Sequence, residues 1–235
     1  MDSTRKTALV AGVLFVITYV TSIPAQLVLY GPVLHDANYI VSAGADAGVA
    51  LGALLELLLI IANCGTAVVL FPILKRQSEG LALGFVAARL IESAFIAIGI
   101  VSVLSIVTLR AAFAGAAGGD TGSFVTVGKT LVAIHDWTFL LGPGFIVGVG
   151  NGLILGYLMY RSGLVPRGMA LLGLVGGPLI CASGIAVLFD VFKAGSLPQV
   201  IATIPEFFWE LSLGIYLIVK GFKPSPLTSG DIPRR

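Results

Sequence analysis

A long apolar segment with two charged residues inside it constrains this chain more than any other feature. Residues Leu81–Leu109 are apolar for longer than a helix of a water-soluble protein needs, and at 1.5 Å per residue they would form a helix about 43 Å long. A bilayer core is about 30 Å thick, so we expect a tilted transmembrane helix. Arg89 and Glu92 lie three positions apart and share one face of it. Because isolated charges are costly in lipid, this face must point into a protein interior or a wet cavity.

The composition of the whole chain also indicates a membrane protein. Of 235 residues, 57% are hydrophobic and 11% are charged, which is less than half the charged fraction of a typical soluble domain. We therefore predict a multi-pass protein whose surroundings are the lipid bilayer. The chain has no run of basic residues, so nucleic acid is not an expected partner. Its two cysteines lie in apolar segments and imply neither a disulfide framework nor a thiolate metal site.

Hydropathy divides the chain into six apolar segments within a single integral membrane domain, residues 1–235. The segments are roughly 8–30, 48–74, 81–109, 131–160, 168–189 and 199–219. The first segment continues through Val28 to Tyr30, past the point where a signal peptide would be cleaved, so we expect an uncleaved helix. Long apolar runs favour helices over the short alternating strands of a membrane barrel. The predicted fold is all-α, a polytopic bundle of six transmembrane helices.

The basic residues predict the orientation of this bundle. The connections on one side hold Arg5, Lys6, Lys75, Arg76, Arg161, Arg167, Lys220 and Lys223. The connections on the other side hold only Arg110, Lys129 and Lys193. Cytoplasmic loops are enriched in Lys and Arg, so we predict that both termini are cytoplasmic.

Five ionisable residues lie within the apolar segments and form the candidate site for a substrate or an ion: Glu56, Arg89, Glu92, Glu206 and Glu210. If all of them ionise, four carboxylates face one guanidinium. Either some carboxyl groups stay protonated, or a proton, a cation or a cationic ligand occupies the site. A purely structural interpretation stands beside this one. Arg89 would then join helices by pairing with Glu92 or Glu210, and Glu206 would interact favourably with the N-terminal dipole of the last helix.

Three further polar residues are secondary candidates. His135 and Asp136 precede Trp137, and this triplet is typical of a membrane interface whose polar groups reach the headgroups. Asn151 lies close to the face of a glycine series and would hydrogen-bond to a neighbouring helix. The chain has no HxxxH, HxxE or CxxC spacing and only two histidines, so we expect no metal ion and no other cofactor.

Glycine and proline shape the fourth apolar segment. Gly144, Gly148, Gly152 and Gly156 recur every four residues, so they line one helix face and allow close helix–helix association. Pro143 removes a backbone donor and clashes with the carbonyl group four residues earlier. We therefore predict a kink or a break of the helix at Pro143.

Several longer motifs resemble a known family. They are GALLELLLIIANCGTAVVLFPILKRQSEGLALGFVAARLIES, HDWTFLLGPGF, SGLVPRGMALLGLVGG and IPEFFWELSLGIYLIVKGF. As a set they resemble the bacterial membrane family known as domain of unknown function 4386. The resemblance implies a six-helix integral protein of the bacterial cytoplasmic (plasma) membrane, and it carries over no catalytic or binding residues.

Three hypotheses about function follow. The leading one is binding or transport of a small solute, proton or cation through the buried carboxylate-rich site. The second is an intramembrane enzyme in which His135 or Asp136 acts with Glu56 or Glu206 as general acid and base on a lipid-derived substrate. The third is a non-catalytic scaffold or accessory subunit that binds partner helices through its glycine faces.

Overall fold

The chain folds as an all-helical bundle in the computed structural model, which describes residues 3–36, 38–42, 46–115 and 120–228. Of the described residues, 85% are helical and none lies in a strand. Six helices within these ranges are long and apolar enough to cross a membrane. The predicted all-α bundle of six membrane helices is therefore confirmed.

The six spanning helices and one short helix are numbered here in chain order. They are α1 (Ser3–Leu29), α2 (Gly31–His35), α3 (Asp46–Leu74), α4 (Glu79–Gly115), α5 (Thr121–Ser162), α6 (Arg167–Leu188) and α7 (Leu197–Val219). The largest difference from the predicted bounds is the start of α5, which lies at Thr121 instead of near Leu131. Asp120 caps this end by accepting a hydrogen bond from the Gly122 N–H at 3.1 Å. Hydropathy detects only the apolar part of a helix that begins in a polar stretch.

The spanning helices form a closed ring in chain order. Each one packs against the next along the chain, and α7 packs against α1. Arg5 near the start of α1 donates to the carbonyl oxygens of Leu217 at 2.9 Å and Ile218 at 2.6 Å, near the end of α7. The first and last membrane helices therefore begin and end at the same end of the bundle.

The connections with many basic residues meet at this same end. Arg76, between α3 and α4, donates to the carbonyl oxygen of Leu227 at 2.9 Å. The backbone N–H of Lys223 donates to the carbonyl oxygen of Leu164, between α5 and α6, at 2.8 Å. The segment after α7 thus ties these connections together. The orientation of this end toward the cytoplasm stays a prediction.

Two apolar clusters occupy the two ends of the ring. The cluster at the basic end is built around Phe15, Leu70, Phe85, Leu158 and Trp209. The cluster at the opposite end is built around Tyr30, Val33, Ile40, Val103 and Ile106. The polar side chains described below lie between these two clusters, and Tyr30 and Trp209 contribute polar atoms to them.

A kink or a break was predicted at Pro143, and the structure shows an α-helical stretch that ends at Leu141 and continues as π-helix from Gly142, so the regular α-helix is interrupted without a break in the helical chain path. Two stretches of α5 are π-helical, Gly142–Ile146 and Gly148–Leu155. A π-turn bonds each N–H to the carbonyl group five residues earlier, so its wider ladder continues the helix past a proline that cannot serve the α-helical pattern. Such turns often occur at functional sites, and the second π-helical stretch, Gly148–Leu155, contains Asn151.

Candidate functional site

An ion pair between Arg89 and Glu92 lies in the interior of the ring. Arg89 Nη1 is 2.8 Å from Glu92 Oε2, and the two side chains are only 1% and 6% exposed. Both residues lie on α4, one turn apart, which is the shared face that their spacing predicted. Helix α3 holds the pair in place: Asn63 Nδ2 donates to Glu92 Oε1 at 3.1 Å, and the Thr66 hydroxyl accepts from Arg89 Nε at 3.3 Å.

Glu210 of α7 approaches the same guanidinium group. Its Oε1 is 4.0 Å from Arg89 Nη1, and it accepts a hydrogen bond from Asn151 Nδ2 of α5. The Trp209 indole N–H donates to the backbone carbonyl oxygen of Asn151 at 2.9 Å. Four helices thus contribute to one buried set. We call it the central cluster, and its members are Asn63, Thr66, Arg89, Glu92, Asn151, Glu206 and Glu210.

Glu206 is the member of the central cluster with the fewest partners. It lies one turn before Glu210, it is 3% exposed, and neither carboxylate oxygen accepts a hydrogen bond from any described residue. Its Oε2 lies against the backbone of α5 and α6 instead. A Cβ atom added at Gly152 of α5 would lie 2.7 Å from this oxygen, and one added at Gly176 of α6 would lie 2.9 Å from it. An unpartnered carboxylate is strongly disfavoured away from water.

The central cluster contains more acidic than basic groups. Glu92, Glu206 and Glu210 surround Arg89, whose Nη2 has no hydrogen-bond partner among the described residues. The guanidinium Cζ also lies 5.8 Å from the centroid of the Phe15 ring. This cation–π contact stabilises the cation without neutralising an acid. Three ionised carboxyls and one guanidinium would leave an excess of two negative charges inside the bundle.

Glu56, the fifth residue of the predicted site, lies apart from the central cluster. It precedes Asn63 by seven residues on α3, about 10 Å along the axis at 1.5 Å per residue. Its Oε1 accepts from Gln26 Nε2 at 2.7 Å, and its Oε2 accepts from the Tyr30 hydroxyl at 2.9 Å. Gln26 Nε2 is also 3.4 Å from His135 Nε2 of α5. We call Gln26, Tyr30, Glu56 and His135 the distal cluster.

Of the three secondary candidates on α5, Asn151 belongs to the central cluster, and His135 and Asp136 point in different directions. His135 is 3% exposed, and its ring meets the Tyr30 ring edge-on at a centroid distance of 5.8 Å. The side chain of Asp136 is 63% exposed, with Oδ1 3.6 Å from His135 Nδ1. Successive residues of a helix point about 100° apart, which explains the separation. The structure brings His135 to Glu56 and leaves Asp136 at the surface.

A comparison with known protein families identifies the chain. The model of the family described as Domain of unknown function (DUF4386) matches residues 10–221. The chain belongs to this family. The DUF4386 match includes every residue of the central and distal clusters, and it confirms the resemblance of the sequence motifs. No curated protein and no solved structure matches the chain.

The glycines of α5 contribute to packing within this DUF4386 protein. A Cβ atom at Gly148 would lie 2.8 Å from the carbonyl oxygen of Gly177, and one at Gly156 would lie 3.2 Å from the Leu174 nitrogen. Both contacts are with the backbone of α6, as glycine-mediated helix packing in membranes requires. Gly144 lies against the backbone of its own helix. Association with another chain through these glycines stays a prediction.

Several functional partners were not predicted from the sequence: Gln26, Tyr30, Asn63, Thr66 and Trp209. A signal existed on α3, because Glu56, Asn63 and Thr66 follow one another at spacings of seven and three residues. These spacings place polar side chains along one face of an apolar helix. Tyr30 and Trp209 gave no such signal, since aromatic residues are also common at membrane interfaces.

Proposed function

We propose that this membrane protein binds a proton or a small monovalent cation at Glu206 in the central cluster, and that it moves this ion across the bilayer, alone or with a small solute. The observation that carries the proposal is the buried Glu206 carboxyl group, which has no hydrogen-bond partner among the described residues. Ionisable groups inside membranes mark ion and proton pathways because they are otherwise too costly to keep. A purely structural link between helices needs only Arg89 of α4 with Glu210 of α7, since Glu92 lies on the same helix as Arg89.

The geometry supports a proton or a singly charged ion better than a divalent metal ion. Within the described ranges, no three His, Cys, Asp or Glu side chains form a group that could hold a metal. Arg89 lies 2.8 Å from Glu92 and 4.0 Å from Glu210, so these two acids already have a cation nearby. One further positive charge would supply the partner that Glu206 lacks.

The two alternative functions have weaker support. The general acid–base alternative pairs His135 or Asp136 with Glu56 or Glu206, but no hydrogen bond or ion pair joins either residue to Glu206 in the described part of the chain. The scaffold alternative relies on the glycine faces of α5, where positions 148 and 156 already contact α6. Ion binding is the function that accounts for the excess of buried acids.

We also propose that the protein lies in the bacterial plasma membrane with both termini in the cytoplasm. The contacts of Arg5, Arg76 and Lys223 gather the basic connections at the end of the bundle where α1 begins and α7 ends. This asymmetry supports a cytoplasmic position of that end.

Flux measurements in liposomes test the proposed function. The purified protein is reconstituted with a dye inside that reports H⁺, Na⁺ or K⁺, and a gradient of the matching ion is imposed in each case. We expect a flux of at least one of these ions that Glu206→Gln abolishes, because the variant keeps the side-chain shape and loses the charge. Glu79→Gln, at the exposed start of α4, is the matched control and should retain the flux. An equal flux in Glu206→Gln and wild type would contradict the proposal.

A further inference from the structure

The distal cluster and Asp136 form a line of polar groups from the surface to a buried carboxyl group. The line begins at the exposed Asp136, whose Oδ1 is 3.6 Å from His135 Nδ1. The opposite ring nitrogen, Nε2, is 3.4 Å from Gln26 Nε2. Gln26 donates in turn to Glu56 Oε1 at 2.7 Å, and Tyr30 donates to Glu56 Oε2 at 2.9 Å. The line therefore places two groups that exchange protons, His135 and Glu56, on either side of one that does not, the Gln26 amide.

The central cluster does not account for this line. Glu56 is about 10 Å from Asn63 along α3, too far for a direct contact between the two sites. The titratable groups that face Glu56 are Tyr30, directly after α1, and His135 from α5. On the α4 side, Gly99 is the neighbour of the His135 ring: a Cβ atom added at Gly99 would lie 3.5 Å from His135 Cδ2. Because this neighbour is a glycine, α4 presents no charge to the ring here.

We propose that His135 carries protons between the exposed Asp136 and the buried Glu56, and that Gln26 gates this transfer. Histidine suits the role because its charge changes near neutral pH and because its two nitrogens face opposite ends of the line. A carboxamide neither loses nor gains a proton at physiological pH. The Gln26 amide therefore blocks the transfer while it lies between His135 and Glu56.

The proposed transfer conserves atoms and charge. A neutral His135 with a bare Nδ1 takes up one proton from the Asp136 side and becomes an imidazolium. When Gln26 turns aside, a water molecule that takes its place accepts the Nε2 proton and passes one of its own protons to Glu56 Oε1. The products are a neutral carboxylic acid, an unchanged water molecule and a neutral ring protonated at Nδ1. Nε2 then accepts an N–H of Gln26, which is the contact of 3.4 Å in the structure. The release of the proton follows the same steps in reverse.

The position of Gln26 suits a gate. It belongs to the π-helical last turn of α1, Ala25–Leu29, directly after Pro24. A proline and a π-turn both weaken the regular backbone ladder, so this end of α1 is easier to rearrange than its middle. The side chain of Gln26 is only partly buried, which leaves it room to rotate away from Glu56.

Infrared spectroscopy after a pH jump tests this proposal on the whole protein in lipid nanodiscs. The probe is the proton itself, released by light from a caged compound, and the signal is the carboxyl band that Glu56→Gln removes. We expect His135→Phe, which keeps a flat ring without nitrogens, to slow the protonation of Glu56 by about tenfold or more. Added imidazole should restore the rate in His135→Ala. In Gln26→Ala, Glu56 should be protonated faster than in the wild type. In the exposed control Trp137→Phe, the rate of Glu56 protonation should equal the wild-type rate.

Two outcomes would overturn the proposal. One is a wild-type rate in His135→Phe, and the other is a Glu56 band that does not respond to the pH jump. If His135→Phe fails to fold, Asp136→Asn provides the same test at an exposed position, where a severalfold slower rate is expected and an unchanged rate contradicts the proposal. The signal belongs to Glu56 and can also be recorded in Glu206→Gln protein, so the result does not depend on the central cluster.

Discussion

Replacing Arg89 by leucine removes the one cation that the described residues place in the central cluster. The guanidinium is 1% exposed, 2.8 Å from Glu92 and 4.0 Å from Glu210. Leucine fills part of the volume, but it leaves three carboxyls around an apolar side chain. Loss of one partner from a buried ion pair costs about 3–5 kcal/mol, because the remaining charge keeps its desolvation cost.

Thermal unfolding in detergent, followed by circular dichroism, measures this cost. For a chain of this length, 1 kcal/mol corresponds to about 2–4 °C, so we expect the Tm of Arg89→Leu to fall by about 6–20 °C. Lys193→Leu is the matched control. It removes an ion pair with Asp190 whose side chains are 82% and 71% exposed, and surface pairs contribute about 0–1 kcal/mol.

A double variant separates the charge effect from packing. Glu92→Gln removes one of the acids that Arg89→Leu leaves unpaired, so the double variant should regain part of the lost Tm. No recovery would assign the loss to packing instead. An unchanged Tm in Arg89→Leu would refute the reasoning, since Arg89 would then interact with solvent or headgroups and would not balance the buried acids.

Three further predictions concern packing, pH and orientation. Gly176→Ala places a methyl group against a buried carboxylate and should lower the unfolding free energy by about 1–3 kcal/mol, whereas Gly168→Ala, with no atom within 4 Å of the added Cβ, should not. Hydrogen bonds from Ser123 and from a backbone N–H lower the pKa of Asp120, so its cap stabilises α5 above the unfolded-state pKa. The protection factors of the amides in the first turn of α5, which correct the exchange rates for their intrinsic pH dependence, should therefore decrease as the pH falls through the lower folded-state pKa, and Asp120→Ala should lose this change. Ala194 lies between α6 and α7, a connection that is predicted to face outward. In a cysteine-free background, Ala194→Cys should therefore react with an impermeant maleimide added outside intact cells. A reaction only after permeabilisation would reverse the predicted orientation.

The bundle itself was predictable because long apolar runs have few other stable forms in a membrane. The start of α5 at Thr121 was not predictable. The first residues of this helix are polar, so hydropathy does not separate them from a loop, although Asp120 caps the helix there. A disturbance of the helix at Pro143 was predicted from its missing donor, but its form was not. The π-turn at Gly142–Ile146 packs against both α4 and α6, and a single sequence does not reveal such neighbours.

The candidate site was predictable where residues share one helix and less so where helices meet. The spacing of Arg89 and Glu92 already implied a common face, and their ion pair follows from it. The division of the acids into two clusters depends on how each helix of the ring is rotated about its own axis. Glu56 faces the end of α1, whereas Glu206 faces the glycines of α5 and α6.

The charge state of Glu206 tests the central claim most directly. Infrared spectra of the wild type, with the band assigned by its loss in Glu206→Gln, are recorded in buffers with and without Na⁺ or K⁺. The proposed function predicts either a protonated Glu206 carboxyl group in cation-free buffer or a carboxylate band that shifts when the cation is added. A Glu206 carboxylate that is ionised without any cation and unchanged by all of them would contradict the claim that this buried acid binds an ion.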